Sequence, residues 1–178
     1  NYGISKCSSK WILEMDADEL IKKPLEKEII QKLKFNNCDF YYVPMTNFIG
    51  NKKITKGWMA CLAPDGKFCL FRKGKKIWMD GSVHPQYQIK GKKGLTFVNS
   101  LNHYLSMDIS DLLSKFNRNT SLYANDLRKN RESLNKLISV RKIFSRFFKS
   151  FITRKGFQHG GIGVLIGILC AIYPYVSA

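Results

Sequence analysis

The stretch WILEMDADEL, Trp11–Leu20, places an apolar run directly before a cluster of carboxylates. The run has the length and the aromatic and branched content of a short buried β-strand. Asp16, Asp18 and Glu19 then follow within four positions. Hard cations such as Mg²⁺ take carboxylate oxygens together with the phosphates of a substrate, but a solvated turn explains the same residues. The stretch therefore predicts a strand that ends either at a turn or at a metal-diphosphate site.

The segments that follow predict an α/β arrangement. KPLEKEIIQKL, residues 23–33, predicts a helix with Pro24 in its first turn and apolar residues four apart on one face. FYYVPM, residues 40–45, predicts a strand whose end Pro44 places at a sheet edge or at an exit from the sheet. Strand, helix and strand in succession indicate an α/β fold, in which ligands bind beyond the carboxyl ends of strands. Shorter strands are predicted at KFCLFRK (67–73) and YQIKG (87–91).

The last third of the chain predicts helices. Asp108 stands at an N-cap position before apolar residues spaced by three and four, so an amphipathic helix is expected to pack on the sheet. VRKIFSRFFKSFITRKG, residues 140–156, carries six basic residues and no acidic one, interleaved with phenylalanines that include Phe147, Phe148 and Phe151. This pattern predicts an interfacial helix on an anionic membrane surface.

The apolar run Ile162–Tyr173 has twelve residues, fewer than the roughly 20 that a membrane-spanning helix needs. It therefore favours a shallow or re-entrant helix over a span. A buried helix that closes the fold, with glycines permitting close packing, is the alternative.

The composition indicates a globular chain with an anionic partner. Thirty Lys and Arg against 13 Asp and Glu give a formal charge of +17, which favours nucleic acid, a phosphorylated substrate or an acidic membrane. A hydrophobic content of 44% argues against disorder. The five cysteines are odd in number and form no C-x-x-C pair, so they are interpreted as reduced, cytosolic thiols. The sequence shows no secretory signal pattern.

Ordered motifs along nearly the whole chain resemble family 2 glycosyltransferases, specifically the bacterial branch that acts on lipopolysaccharide, capsule or exopolysaccharide. The motifs are WILEMDADE (11–19), GW (57–58), LFRKG (70–74), VHPQ (83–86), KGLTFVNSLNHY (93–104), DISDLLSKFNRNTSLYANDL (108–127) and RKGFQHGGIG (154–163). The resemblance implies a GT-A fold, a nucleotide-sugar donor and a glycan or lipid-linked acceptor. It also implies Mg²⁺ or Mn²⁺ as cofactor and a location on the cytoplasmic face of a bacterial inner membrane.

The resemblance assigns roles within the acidic stretch. Asp16 matches the first acid of the Asp-x-Asp motif, expected near sugar or ribose hydroxyls. Asp18 matches the second, expected to hold the metal ion against the donor diphosphate, where the ion assists departure of the leaving group. Glu19 either joins this site or caps the following helix at the positive end of its dipole.

An inverting transferase also needs a general base for the acceptor hydroxyl. Many relatives carry a Glu after the histidine of the VH motif, whereas Pro85 stands there in this chain. Asp80 and His84 are the local candidates for the base.

Further substrate contacts are expected from cations and an indole ring. Cys69 stands where relatives usually carry Arg, so Arg72 and Lys73 are expected to supply charge on the diphosphate side. Trp58 is a candidate for stacking on a sugar, with a buried core position as the alternative.

The resemblance implies three segments. Residues 1–104 correspond to part of a GT-A catalytic domain, 105–140 to an amphipathic helical region and 141–178 to a membrane-associating segment. Only fifteen residues precede Asp16, so the nucleotide-binding half of a GT-A domain is expected to lie outside this chain. The chain is then a fragment of a longer protein or a truncated, inactive remnant. A basic nucleic-acid-binding module, which lacks a recognisable reader motif, and a noncatalytic membrane-surface adaptor stay open as alternatives.

Overall fold

The computed structural model describes residues 1–35, 37–79, 86–129 and 139–178. The helices are α1 (Tyr2–Lys6), α2 (Lys23–Lys34), α3 (Ile109–Lys129), α4 (Val140–Phe148), a π-helical turn (Lys149–Thr153), a 3-10 turn (Gly156–His159) and α5 (Gly160–Val176). The strands are β1 (Trp11–Leu13), β2 (Glu19–Leu20), β3 (Phe40–Ile49), β4 (Lys52–Ile54), β5 (Gly66–Arg72), β6 (Lys76–Trp78), β7 (Tyr87–Ile89) and β8 (Leu101–Ser106). This mixture agrees with the predicted α/β class, and the finer prediction of a GT-A fold stays a prediction.

The chain forms two compact units. Unit 1 comprises residues 1–46 and 66–104, and unit 2 comprises residues 47–65 and 105–178. The described residues of the expected segments 105–140 and 141–178 therefore fall together in unit 2. Residues 47–65 belong to the same unit as the C-terminal helices, although they lie within the segment 1–104 that was expected to be catalytic.

The sheet of unit 1 positions the acidic stretch. Its strands follow the order β1, β5, β3, β8 and β2. Strand β5 is antiparallel to both β1 and β3, so these two run parallel to each other with β5 between them. Helix α2 connects them, and its buried residues Leu25 and Ile29 pack in one cluster with Val43, Leu70 and Leu101 of the sheet. The predicted strand, helix and strand are thus confirmed, with one antiparallel strand inserted between the two.

Strand β3 does not end at Pro44, contrary to the sequence expectation. The strand continues to Ile49. Pro44 lies opposite Gly66, where the pairing with β5 ends, and residues 47–49 pair with β4 instead. Proline has no N–H to donate to a ladder. It therefore ends one pairing without ending the strand.

Unit 2 is built around α3 and α5. The Asp108 carboxylate accepts the N–H of Asp111 at 2.8 Å, which confirms the predicted N-cap. The ring of Tyr173 in α5 contacts Phe116 and Tyr123 of α3, with ring centroids 5.8 Å and 6.0 Å apart. Within unit 2, α3 therefore packs against α5, and the expected packing of α3 on the sheet stays a prediction.

The basic segment is helical, but its phenylalanines divide between two faces. Phe147 and Phe151 stack on each other, with ring centroids 5.5 Å apart, and Phe147 lies against Gly167 of α5. Phe144 and Phe148 are mostly exposed. The expectation that Phe147 and Phe151 lie with Phe148 on one exposed face was therefore wrong, because Phe147 and Phe151, four residues apart, lie on the side that faces α5.

The apolar C-terminal helix is longer than the run of twelve residues suggested. Residues Gly156–Val176, 21 in all, form a helix long and apolar enough to cross a membrane by length and composition, and 39% of its most apolar window is buried inside the protein. All five cysteines are free thiols, as expected from their number.

Candidate functional site

The acidic stretch forms a tight turn directly beyond β1. The N–H of Glu14 continues the ladder to Cys69 O, and the chain then turns at Asp16. The N–H of Glu19 donates to Asp16 O at 3.1 Å, while the Glu19 carboxylate accepts the N–H of Asp16 at 2.9 Å. The N–H of Tyr104 donates to Asp18 O at 2.8 Å. Backbone and side-chain hydrogen bonds therefore hold the turn in one conformation.

Glu19 closes this turn and does not cap a helix. It lies in β2 opposite His103, and helix α2 begins four residues later at Lys23. Its side chain is only 1% exposed, and its Oε2 lies 2.6 Å from Lys67 Nζ. Burying a carboxylate is costly unless a cation and hydrogen bonds compensate it. Lys67 supplies that cation.

Lys67 joins two of the three acids. Its Nζ lies 3.1 Å from Asp16 Oδ2, on a side chain that is 70% exposed. Burial opposes the charge on Lys67, but the hydrogen bond and charge of Glu19, together with Asp16, outweigh it, so the pKa of Lys67 lies above its ordinary value. This lysine is therefore a fixed cation at neutral pH.

Asp18 has a different environment. Its carboxylate is 42% exposed and lies 3.6 Å from His103 Nε2. Burial lowers the pKa of His103 despite the opposing charges of Asp18 and Glu19, so the imidazole is neutral near pH 7. Among the described residues, no Lys or Arg forms an ion pair with Asp18. Within the described part of the chain, Asp18 thus presents to solvent a carboxylate with no Lys or Arg partner, beside two acids that share the single cation of Lys67.

A metal ion at this turn would need ligands from a substrate in addition to those from the described protein residues. Within residues 1–35, 37–79, 86–129 and 139–178, no group of three or more His, Cys, Asp or Glu side chains is placed to hold a metal ion. Magnesium commonly uses one or two carboxylates plus substrate phosphates. Asp18, with Asp16 two positions away on the same turn, offers such oxygens. Oε1 of Glu19 is buried without a hydrogen-bond partner, so the local polar network is incomplete as it stands.

The cations expected on the diphosphate side, Arg72 and Lys73, do not lie beside the acidic turn. Arg72 pairs with Trp11 at the start of β1, donates from Nε to Cys38 O at 2.8 Å and stacks over the Trp11 ring. Lys73 follows in the exposed turn after β5. Lys67 precedes Arg72 by five residues, a distance of about 16 Å along a strand. The structure therefore places Lys67, and not Arg72 or Lys73, beside the acids.

No local sequence pattern indicates that Lys67 belongs to this site. Its partners depend on the antiparallel register between β1 and β5, which sets Leu13 opposite Leu70 and carries residue 67 past the end of β1. Local patterning does not specify that register.

Three further residues were predicted to belong to the site: Trp58, Asp80 and His84. Trp58 lies in unit 2, is 2% exposed, packs in the core cluster of that unit and donates from Nε1 to Ile54 O at 2.8 Å. Trp58 therefore occupies a buried core position, which was the alternative to sugar stacking, and neither face of its ring is accessible to a sugar. Asp80 and His84, the candidates for the general base, lie outside the described residues.

A second buried lysine supports the same sheet edge. Lys76 Nζ lies 3.2 Å from Glu14 Oε2 and over the ring of Trp78. Trp78 also donates from Nε1 to the same Glu14 oxygen at 3.0 Å. Burial lowers the pKa of Lys76, with Glu14 opposing the shift. This buried group fixes the end of β1 immediately before the acidic turn.

Comparison with known proteins points to sugar-transfer enzymes. The chain is 27% identical over 189 residues to a protein of Rickettsia felis named uncharacterized glycosyltransferase. It is 22% identical over 203 residues to proteins of Rickettsia conorii and Rickettsia prowazekii that carry the same name. Each match covers 99% of this chain and 63–65% of the relative, so the chain spans less than two thirds of those proteins. No protein-family model and no solved structure matches the chain. The similarity therefore extends over this whole chain and ends within longer proteins that are named as glycosyltransferases.

Proposed function

We propose that this chain is part of a glycosyltransferase of the family 2, GT-A type, which moves a sugar from a nucleotide-sugar donor to a glycan or lipid-linked acceptor of a bacterial cell-surface polysaccharide. The observation that carries the proposal is the exposed carboxylate of Asp18, without a Lys or Arg partner in the described part of the chain, on a rigid turn beyond a sheet strand. The names of the Rickettsia relatives support the same activity.

The residues of this site have different proposed roles. Asp18, with Asp16 beside it, would hold Mg²⁺ or Mn²⁺, an ion that neutralises negative charge on a leaving diphosphate. Asp16 is exposed enough to accept hydrogen bonds from sugar or ribose hydroxyls. Glu19 and Lys67 keep the turn closed so that both aspartates stay oriented before the donor arrives. Asp80 and His84 stay the predicted candidates for the base that takes the acceptor proton.

The test of the metal role uses the full-length enzyme that this proposal implies. Turnover of the nucleotide sugar is expected to stop in excess chelator and to recover with Mn²⁺ or Mg²⁺, because the ion stabilises the leaving group. Asp18→Asn should abolish that recovery with the melting temperature preserved. Glu26→Gln, which removes an exposed acid on α2, is the matched control and should recover fully. Undiminished turnover in strong chelator would contradict the proposal.

The proposed location is an anionic, cytoplasmic membrane face, and α4 with its π-helical turn is the docking surface. Its exposed apolar side chains are spaced by four and are 43–71% exposed: Val140, Phe144, Phe148 and Ile152. Six cations lie between residues 141 and 155, and residues 139–178 contain no acidic residue. An exposed apolar stripe among cations is the surface that anionic bilayers bind.

Flotation with vesicles tests this docking. The chain should float with vesicles that contain phosphatidylserine, and high salt should weaken binding because it screens the head-group charge. Phe144→Ser with Phe148→Ser should lower partitioning by about tenfold or more, since burial of each phenyl ring contributes about 1.5–3 kcal/mol. Phe35→Ser, at a ring 75% exposed on unit 1, is the control and should float like the parent chain. Equal recovery with neutral and anionic vesicles would refute docking by charge.

A further inference from the structure

Two of the five cysteines lie together in unit 2. Cys61 is partly exposed in the segment 47–65, whereas Cys170 is fully buried in α5. Cys170 belongs to the hydrophobic cluster around Trp58, Cys61 packs against that cluster, and a hydrogen bond joins the two sulfur atoms. Neither cysteine belongs to the site proposed for sugar transfer. The pair therefore combines one thiol that solvent reaches with a second thiol that solvent does not reach.

Arg146 of α4 supplies a positive charge beside this pair. Its Nη2 donates a hydrogen bond to Cys61 Sγ at 3.2 Å. A guanidinium keeps its charge throughout the ordinary pH range, and a nearby cation stabilises a thiolate more than a thiol. The contact therefore favours the deprotonated, nucleophilic form of Cys61.

The sequence of α5 explains why the guanidinium of Arg146 lies there. Pro174 has no N–H, so it cannot donate the helical hydrogen bond to Cys170 O. Arg146 replaces that donor, with its Nε 2.8 Å from Cys170 O. Because the guanidinium is planar and rigid, a bond from Nε also fixes the direction in which Nη2 points towards Cys61. The backbone of α5 thus holds the cation against the sulfur of Cys61.

The surroundings of the two sulfur atoms give them different protonation states. The hydrogen bond from Cys170, together with the charge of Arg146, outweighs burial and lowers the pKa of Cys61 to about 7. The same hydrogen bond, burial and the negative charge of Cys61 raise the pKa of Cys170. Burial and the charge of Cys61 also raise the pKa of Tyr173 in α5 to about 12. Near pH 7, Cys61 is therefore partly thiolate while Cys170 and Tyr173 keep their protons.

We propose that Cys61 and Cys170 form a peroxide-sensitive pair, in which Cys61 reacts first and Cys170 completes a disulfide. The Cys61 thiolate attacks hydrogen peroxide, so that an S–O bond forms, the O–O bond breaks, and the departing hydroxide takes a proton from solvent. Cys170 then attacks the sulfenic sulfur of Cys61, so that an S–S bond forms and the S–O bond breaks. The departing hydroxide takes the Cys170 proton and leaves as water. The two thiols lose two electrons in all, and the peroxide is reduced to two molecules of water.

Oxidation of Cys61 prepares Cys170 for the second step. The hydrogen bond to Cys61 and the negative charge of Cys61 both raise the pKa of Cys170, and both effects weaken when the thiolate becomes a neutral sulfenic acid. Cys170 then releases its proton more readily. Because Cys170 is fully buried, its nearest reaction partner is Cys61 and not a thiol in solution. The product ties the segment 47–65 to α5 within unit 2.

The first experiment measures thiol reactivity in the full 178-residue chain. Iodoacetamide is added at pH 7 in less than stoichiometric amount, and peptide mass spectrometry gives the extent of labelling at each cysteine. Cys61 should be alkylated at least about tenfold faster than Cys7, the other free thiol that is partly exposed. In denaturing guanidinium chloride the two rates should converge, because the folded surroundings of Cys61 are then lost. A Cys61 rate no higher than that of Cys7 in the folded chain would overturn the proposal.

The second experiment identifies the product of oxidation. Hydrogen peroxide, added in slight excess to the reduced chain, should yield a disulfide between the peptides that contain Cys61 and Cys170, and dithiothreitol should reverse it. In Cys170→Ala the reaction should stop at a sulfenic acid on Cys61 that dimedone traps. Cys7→Ala is the matched control and should form the disulfide like the parent chain.

The linked peptides of the parent chain decide the proposal even if Cys170→Ala does not fold. Irreversible oxidation of Cys61 without any link to Cys170 would overturn it, and so would a disulfide that joins Cys61 residues of two chains. These assays contain neither a metal ion nor a sugar donor. Their failure therefore leaves the chelation test of Asp18 untouched.

Discussion

At the scale of single residues, Lys67 is the cation on which the acidic turn depends. We expect Lys67→Met to destabilise the chain by about 3 kcal/mol at pH 7, because it leaves the buried Glu19 carboxylate without a counter-charge beside Asp16. Urea unfolding measures the loss. Adding Glu19→Gln to Lys67→Met should recover part of it, since a neutral amide still accepts the N–H of Asp16. Lys27→Met, at an exposed lysine of α2, is the control and should cost less than about 0.5 kcal/mol.

The stabilisation by the ion pair between Lys67 and Glu19 is expected to depend on pH in a defined way. Because the pKa of Lys67 is raised in the folded state, its contribution is fully present below the ordinary value of 10.5 and is lost as the pH rises through the higher folded value. The difference between the parent chain and Lys67→Met should therefore be constant through neutral pH and shrink in strongly alkaline solution. A difference that disappears already below pH 9 would show that the lysine charge is not its source.

At the scale of elements, the sequence predicted features that local residues determine. Pro24 marks the first turn of α2, Asp108 caps α3, and the run before Asp16 forms β1, because each signal acts within a few residues of itself. Which cation lies beside the acids, Lys67 or Arg72, depends on strand register, and no local pattern in the sequence determines it. Register is decided by packing across the sheet, and an antiparallel β5 between β1 and β3 has no local signature.

The C-terminal helix offers a prediction with an internal control. A Cβ added at Gly163 would lie against the backbone carbonyl of Gly156, whereas a Cβ at Gly161 meets nothing within 4 Å. Gly163→Ala should therefore destabilise the chain by about 1–3 kcal/mol, the usual cost of overpacking. Gly161→Ala in the same helix should be neutral or stabilise by up to about 1 kcal/mol, because alanine is the better helix former. The melting temperatures of the two variants are compared by thermal unfolding. Equal melting temperatures would disprove close packing at Gly163.

At the scale of the whole molecule, two opposing electrostatic effects act on stability. Exposed ion pairs such as Arg154 with Asp65 stabilise the fold and are weakened by salt. The excess of cations, a formal charge of +17, produces repulsion within the chain, and salt screens this repulsion. An exposed pair contributes at most about 1 kcal/mol, and there are 30 basic residues for only 13 acidic ones. The excess of unpaired cations should therefore dominate the net effect.

Salt is accordingly expected to stabilise this chain. Raising NaCl from about 0.01 M to about 0.5 M shortens the Debye length from roughly 30 Å to less than 10 Å, which screens repulsion between distant lysines more than contact pairs. A gain of about 1–2 kcal/mol corresponds to a rise in melting temperature of about 3–6 °C for a chain of this size. Lys52→Gln with Lys53→Gln removes two adjacent exposed cations and should raise the melting temperature at low salt while reducing its salt dependence. A melting temperature that falls with added salt in the parent chain would mean that the ion pairs prevail, and that an anionic partner is not needed to relieve the charge.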